Sequence, residues 1–236
     1  MKKIIINTKN YFSLANMQRF IFEFEEYLKK DNIILALSPL YFYMFDSSCN
    51  IAAQNVSVKV PTNGQLSIDQ LKSFDVKYCI VSHKDNILDN ENNETRLKIE
   101  KLLKNNITPI LCVGEKDRNE NSETIVLMIK KQLNDYLKGL SSECINNIII
   151  VYEPFWAVSD TIKRNITIDV KKIDIVVSSI RNIILSEFDA NISVMYGGSV
   201  DNSNMFDILK TSVDGVVIGS LCTDFIELQK FLANNT

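Results

Sequence analysis

Three features of this sequence could do chemistry: a glutamate at a strand end, a lone histidine and a pair of glycine-bearing turns. Glu153 lies in Tyr152-Glu153-Pro154-Phe155-Trp156, directly after the apolar run Ile148-Ile149-Ile150-Val151. Pro154 fixes its own φ and biases the residue before it toward extended backbone, so the carboxylate belongs at the end of a strand rather than inside a helix. Aromatic neighbours, among them the chain's only tryptophan, partly desolvate that carboxylate. This favours its neutral form and raises its basicity toward the range useful for proton transfer. By itself, the plainer reading of the segment is a strand-end glutamate in a salt bridge. His83, the only histidine, follows Ile80-Val81-Ser82 and precedes a predicted helical turn. The N-terminal dipole of such a turn would hold the imidazole neutral, able to donate to a carbonyl oxygen. A lone histidine can equally be a satisfied core residue, and its place at a strand end favours the functional reading. Tyr196-Gly197-Gly198-Ser199 and Gly215-Val216-Val217-Ile218-Gly219-Ser220 each close a strand and lead into a helix. Singly, such a glycine pair is more often a tight turn, whereas two together suggest backbone N–H groups arranged for an anion.

These residues need a scaffold that brings strand ends together. Short β-branched runs recur at residues 3–7, 33–38, 51–54, 78–82, 109–113, 148–152, 193–196 and 215–218. Between them, apolar residues return every three or four positions at 17–28, 94–103, 123–137, 168–184, 205–209 and 225–232, which predicts helices; residues 40–45 read ambiguously. Strands that are continuously apolar, each followed by a helix, indicate parallel pairing covered on both faces. Eight such units predict an α/β fold of the (β/α)8 TIM-barrel class, with 1–236 as a single domain. In such a barrel the C-terminal strand ends share one rim. Asn7, Lys9, His83, Cys112 to Glu115, Glu153, Tyr196 to Ser199, Gly219 and Ser220 would all converge there. Irregular stretches at 55–65 and 154–165 are long enough to expect function of them.

Composition excludes other classes. With 46% hydrophobic and 23% charged residues among 236, the chain reads as an ordinary globular protein. A net charge of -3, without a basic stripe, argues against nucleic-acid and membrane partners and leaves room for a small anionic ligand. Five widely spaced cysteines suit reduced thiols in the cytoplasm. One histidine cannot supply the usual ligand set of a metal-dependent barrel.

Along its whole length the chain resembles the triosephosphate isomerase family. The matching segments, in order, are Asn7-Thr8-Lys9, Ala53-Gln54-Asn55-Val56, His83, Pro109-Ile110-Leu111-Cys112-Val113-Gly114-Glu115, Tyr152-Glu153-Pro154-Phe155-Trp156-Ala157, Tyr196-Gly197-Gly198-Ser199-Val200 and Val213-Asp214-Gly215. That family is itself the standard instance of a glutamate base working beside a neutral histidine. The resemblance implies interconversion of dihydroxyacetone phosphate and D-glyceraldehyde 3-phosphate, in glycolysis and gluconeogenesis, without metal or cofactor. By the same resemblance, Glu153 moves the proton, His83 polarises the carbonyl, Lys9 offsets negative charge and Asn7 positions substrate oxygens. Backbone N–H groups near Ser159, Ser199, Gly219 and Ser220 hold the phosphate, residues 154–164 form a lid, and a homodimer is expected.

The departures lie around that set. The family's Gly-Thr-Gly in the lid is Ser159-Asp160-Thr161 here, and its Ser-Glu-Arg after the histidine is Lys84-Asp85-Asn86, with Asn92 at the acid that partners the lost arginine. Asp85 would stand in for the glutamate. Asn63-Gly64-Gln65 replaces Thr-Gly-Glu in the loop that reaches the partner subunit, and Ser220 replaces a glycine of the phosphate loop. Two other readings are a phosphometabolite-binding barrel without activity, and an isomerase of another phosphorylated sugar.

Overall fold

The computed structural model describes residues 1–86, 92–118, 121–158 and 169–235. Eight parallel strands close into a barrel in sequence order: β1 (Lys3–Asn7), β2 (Ile33–Leu37), β3 (Ile51–Ala53), β4 (Tyr78–Val81), β5 (Thr108–Val113), β6 (Ile149–Tyr152), β7 (Ser193–Tyr196) and β8 (Gly215–Ile218). All eight expected strands are present. Closure is made by β8 beside β1, with Lys3 opposite Gly215 and Ile6 opposite Ile218.

The continuous apolar runs follow from burial on two sides. Ile5, Ile34, Ala36, Ile80, Ile110 and Met195 meet inside the barrel, where a small cluster forms. Their strand neighbours, such as Ile4, Ile6, Ile33 and Leu35, face the other way and belong to the larger core under the helices. Since successive strand residues point to opposite faces, both sets must be apolar.

That outer layer comprises α1 (Leu14–Leu28), α2 (Ile68–Ser73), α3 (Asn92–Lys104), α4 (Ser122–Leu137), α5 (Ser142–Asn146), α6 (Val170–Phe188), α7 (Met205–Leu209) and α8 (Phe225–Ala233). Residues 40–45 resolve as a 3₁₀ helix, Pro39–Met44, with proline at its start, where a missing N–H costs nothing. The short helices α2 and α5 were not expected from periodicity. Their starts are nonetheless written locally: Ser67 and Gln70 form a reciprocal capping box, and Ser141 accepts the N–H of Cys144. The five cysteines are free thiols. Among the described residues no helix is long and apolar enough to cross a membrane.

The barrel seam depends on Gly215, where an added Cβ would stand 2.0 Å from the Lys3 carbonyl oxygen. Gly215→Ala should cost about 3 kcal/mol or more of unfolding free energy in urea titration. Gly139→Ala, at φ +86° with open space around it, should cost only about 1 kcal/mol. Equal small losses at both positions would contradict the account of closure.

Candidate active site

Glu153 follows β6 immediately. Its backbone N–H donates to the Val113 carbonyl at 2.8 Å, and the next free amide, that of Phe155, donates to the Glu115 carbonyl at 3.0 Å. The turn after β6 is thus stitched to the end of β5. Contact here is so close that a Cβ on Gly114 would lie 2.1 Å from the Glu153 carbonyl oxygen, so only glycine admits the approach. Gly197 serves the side chain in the same way: a Cβ there would meet Val151 at 2.9 Å and Glu153 Oε1 at 3.4 Å.

The carboxylate is 4% exposed and His83 is 5% exposed, and His83 Nε2 stands 3.6 Å from Glu153 Oε2. Burial raises the Glu153 carboxyl above its ordinary range. The nearby His83 and Lys9 and a hydrogen bond from Cys112 oppose the rise without cancelling it. The same closeness, added to full burial, pushes the Cys112 thiol well up.

His83 is oriented from its other side. The 3₁₀ turn Lys84–Asn86 follows it, and the Asp85 backbone N–H donates to Nδ1 at 3.2 Å. An Nδ1 that accepts carries no proton, so the ring's N–H belongs on Nε2, facing Glu153. A single directed N–H, rather than a helix dipole, thus fixes which ring nitrogen faces Glu153. The Asp85 carboxylate lies 3.7 Å from the same nitrogen, beyond hydrogen-bond length, and turns instead to Lys9 Nζ at 3.1 Å. Burial alone would lower the Lys9 ammonium, but its hydrogen bond to Asp85 and the surrounding negative groups hold it above its ordinary value.

Gln54 orders the loop after β1, a role not evident from sequence. Its amide donates to Asn7 Oδ1 at 3.3 Å, the Lys9 carbonyl at 2.9 Å and the Ala36 carbonyl at 3.3 Å. Asn7 Oδ1 also accepts the Lys9 N–H at 3.1 Å. Glu115 was placed on the rim without a role. It is a buried carboxylate held by Trp156 Nε1 at 2.9 Å and approached by the Tyr152 hydroxyl at 3.3 Å, and burial raises its carboxyl despite these donors.

Of the expected site residues, Asn7, Lys9, His83, Glu153, Ser199, Gly219 and Ser220 line one cleft, joined by Val158 and Tyr11. Ser199 is in left-handed backbone, φ 49°, and its hydroxyl donates to the Ala157 carbonyl at 2.6 Å. Of the expected lid, residues 154–158 are described, whereas Ser159 and residues 160–164, among them Asp160, Thr161 and Arg164, lie outside the described residues, as does the Asn92 side chain. A larger hollow of about 490 Å³ borders the same Asn7, Lys9 and His83, and Gln54, Gly64, Gln65 and Asn86 line it too.

The family model for triosephosphate isomerase matches residues 2–234. A triosephosphate isomerase of Buchnera aphidicola subsp. Schizaphis graminum is 34% identical, the match covering 86% of this chain and 84% of that protein. One from Ruthia magnifica is 31% identical over 85% and 86% of the two chains. One from Wigglesworthia glossinidia brevipalpis is 32% identical over 95% and 92%.

A carboxyl that titrates higher in the folded chain than in the unfolded one binds its proton more tightly when folded. The stability it contributes is full below the ordinary glutamate range and is lost as pH rises through the raised folded value. Glu153→Gln removes that loss. In urea titrations, its stability relative to the unsubstituted chain should therefore grow as pH rises above the ordinary glutamate range. A constant or shrinking difference would show that Glu153 is not a desolvated acid.

Proposed function

The chain belongs to the triosephosphate isomerase family and isomerises triose phosphates in glycolysis; from that premise we propose that Glu153, His83 and Lys9 divide the chemistry. Glu153 removes a proton from the carbon beside the carbonyl of dihydroxyacetone phosphate and returns it to the neighbouring carbon, giving D-glyceraldehyde 3-phosphate. The His83 Nε2–H donates to the carbonyl oxygen, stabilises the enediolate and shuttles its proton. Lys9 balances the negative charge of enediolate and phosphate, and Asn7 aligns the substrate oxygens. The phosphate rests on backbone N–H groups at Ser199, Gly219 and Ser220, with Ser159 closing over it from the lid. The residues themselves supply acid, base and countercharge, so the reading calls for no cofactor or metal.

One observation carries this reading: a buried carboxylate and an imidazole N–H stand 3.6 Å apart in a cleft that also holds a cation and two glycine-bearing turns. A molecule of three carbons touches both groups. Desolvation strengthens each electrostatic contact made there, and the raised Glu153 carboxyl makes a stronger base than a solvated glutamate.

The same reading includes a homodimer acting in the cytoplasm, with 1–236 as one domain. In support, the hollow of about 490 Å³ beside Lys9 and His83 has room for a loop of a second copy. Leu40 and Tyr43 on the 3₁₀ helix after β2, and Val60 on the loop after β3, leave apolar surface exposed. Free thiols at all five cysteines suit a reducing compartment.

Purified protein should isomerise D-glyceraldehyde 3-phosphate. Glu153→Asp and His83→Gln should each lower kcat by about a hundredfold or more while moving KM far less. Loss in binding alone, with turnover per bound substrate intact, would favour a binding barrel instead. Sedimentation at micromolar concentration should give twice the chain mass; a monomer that turns over at full rate would overturn the dimer.

A further inference from the structure

The described segment after Glu153 is held at two consecutive carbonyls by side chains from two other strand ends. Ser199, after β7, donates its hydroxyl to the Ala157 carbonyl at 2.6 Å. Lys84, directly after His83, donates its ammonium to the Val158 carbonyl at 3.2 Å, in partly buried surroundings. Between Glu153 and those carbonyls the backbone is a short 3₁₀ turn, Phe155–Ala157, closed by the Ala157 N–H on the Pro154 carbonyl at 2.9 Å. Such a turn transmits the position of its far end to its near end.

We propose that Lys84 is a positioning residue: it ties the turn that carries the base to the turn that carries the imidazole, and so fixes their separation. A charged donor on a carbonyl is about twice as strong as a neutral one, and it holds the carbonyl next to the one that Ser199 holds. Val158, at the far end of the short turn that Glu153 leads into, is one end of the tie and lines the cleft, and Lys84, the chain neighbour of His83, is the other. Removing the tie leaves both groups in place but widens the range of distances between them. That cost falls on the proton transfer, which requires alignment, and much less on substrate binding.

The inference rests on the assignment of Glu153 and His83 made above, and the experiment separates the two. Trp156 is the only tryptophan and lies inside the tied turn, so its fluorescence reports the tie whether or not the protein turns over substrate. Lys84→Met, which keeps the stem and loses the donors, should increase acrylamide quenching of Trp156 and lower kcat about tenfold with KM changed less than about threefold. Lys84→Arg should restore both toward the parent values. Unchanged quenching and unchanged kcat in Lys84→Met would overturn the proposal. So would losses of kcat and melting temperature together that arginine does not rescue, because those describe a merely structural lysine. If the parent protein itself fails to isomerise, the assignment of the base falls, while the quenching series still decides whether Lys84 holds the turn.

Discussion

A carboxylate shut away from water wants a proton, and the nearby imidazole and ammonium want it ionised; the site is organised around that contest at Glu153. Desolvation outweighs His83 and Lys9, leaving the carboxyl raised. A group so placed needs its backbone fixed, since small displacements would let water in and relieve the desolvation. The fixing is done by absence of side chains. Gly114 lets β5 come against the Glu153 carbonyl, and Gly197 clears the space beside Oε1. Both glycines are therefore part of what makes the carboxylate basic, although neither carries a functional group.

Backbone strain has a similar distribution. Among the described residues, six other than glycine have left-handed φ. Asp75, Asn106 and Asp189 come just after α2, α3 and α6, where a chain leaving a helix commonly turns this way. The other three, Lys9, Ser82 and Ser199, sit just beyond β1, β4 and β7, on the rim that bears the site. Such conformations cost on the order of 1 kcal/mol or more each and persist only where surrounding contacts over-determine them. Gln54 on the Lys9 carbonyl and Asn204 on the Ser199 carbonyl at 2.9 Å are contacts of that kind. The result is a rim whose polar groups stand at fixed spacing before any substrate arrives.

The barrel was legible because parallel strands buried on both faces leave a signal that local propensity does not blur, and all eight appeared as apolar runs. Helices long enough to show a period were equally plain. Helices α2 and α5 are under two turns and show no apolar period, although the equally short α7 does, and only Ser67, Gln70 and Ser141 mark them. Within the site, residues at strand ends could be named because the barrel dictates where strand ends go. Contacts that depend on the path of a loop could not. Gln54 reaching three oxygens, Glu115 taking up Trp156, and Lys84 reaching Val158 all join positions far apart in sequence. The orientation of His83 likewise depends on a local path, since it is set by one backbone amide, that of Asp85.

The proposed chemistry depends on which nitrogen of His83 carries the proton, because Nε2 is the one that faces the Glu153 carboxylate. Nitrogen-15 NMR of the ring decides this without assignment, the chain having one histidine. At neutral pH the account predicts a protonated Nε2 and an unprotonated, hydrogen-bonded Nδ1. A proton on Nδ1, alone or with a second on Nε2, would contradict it.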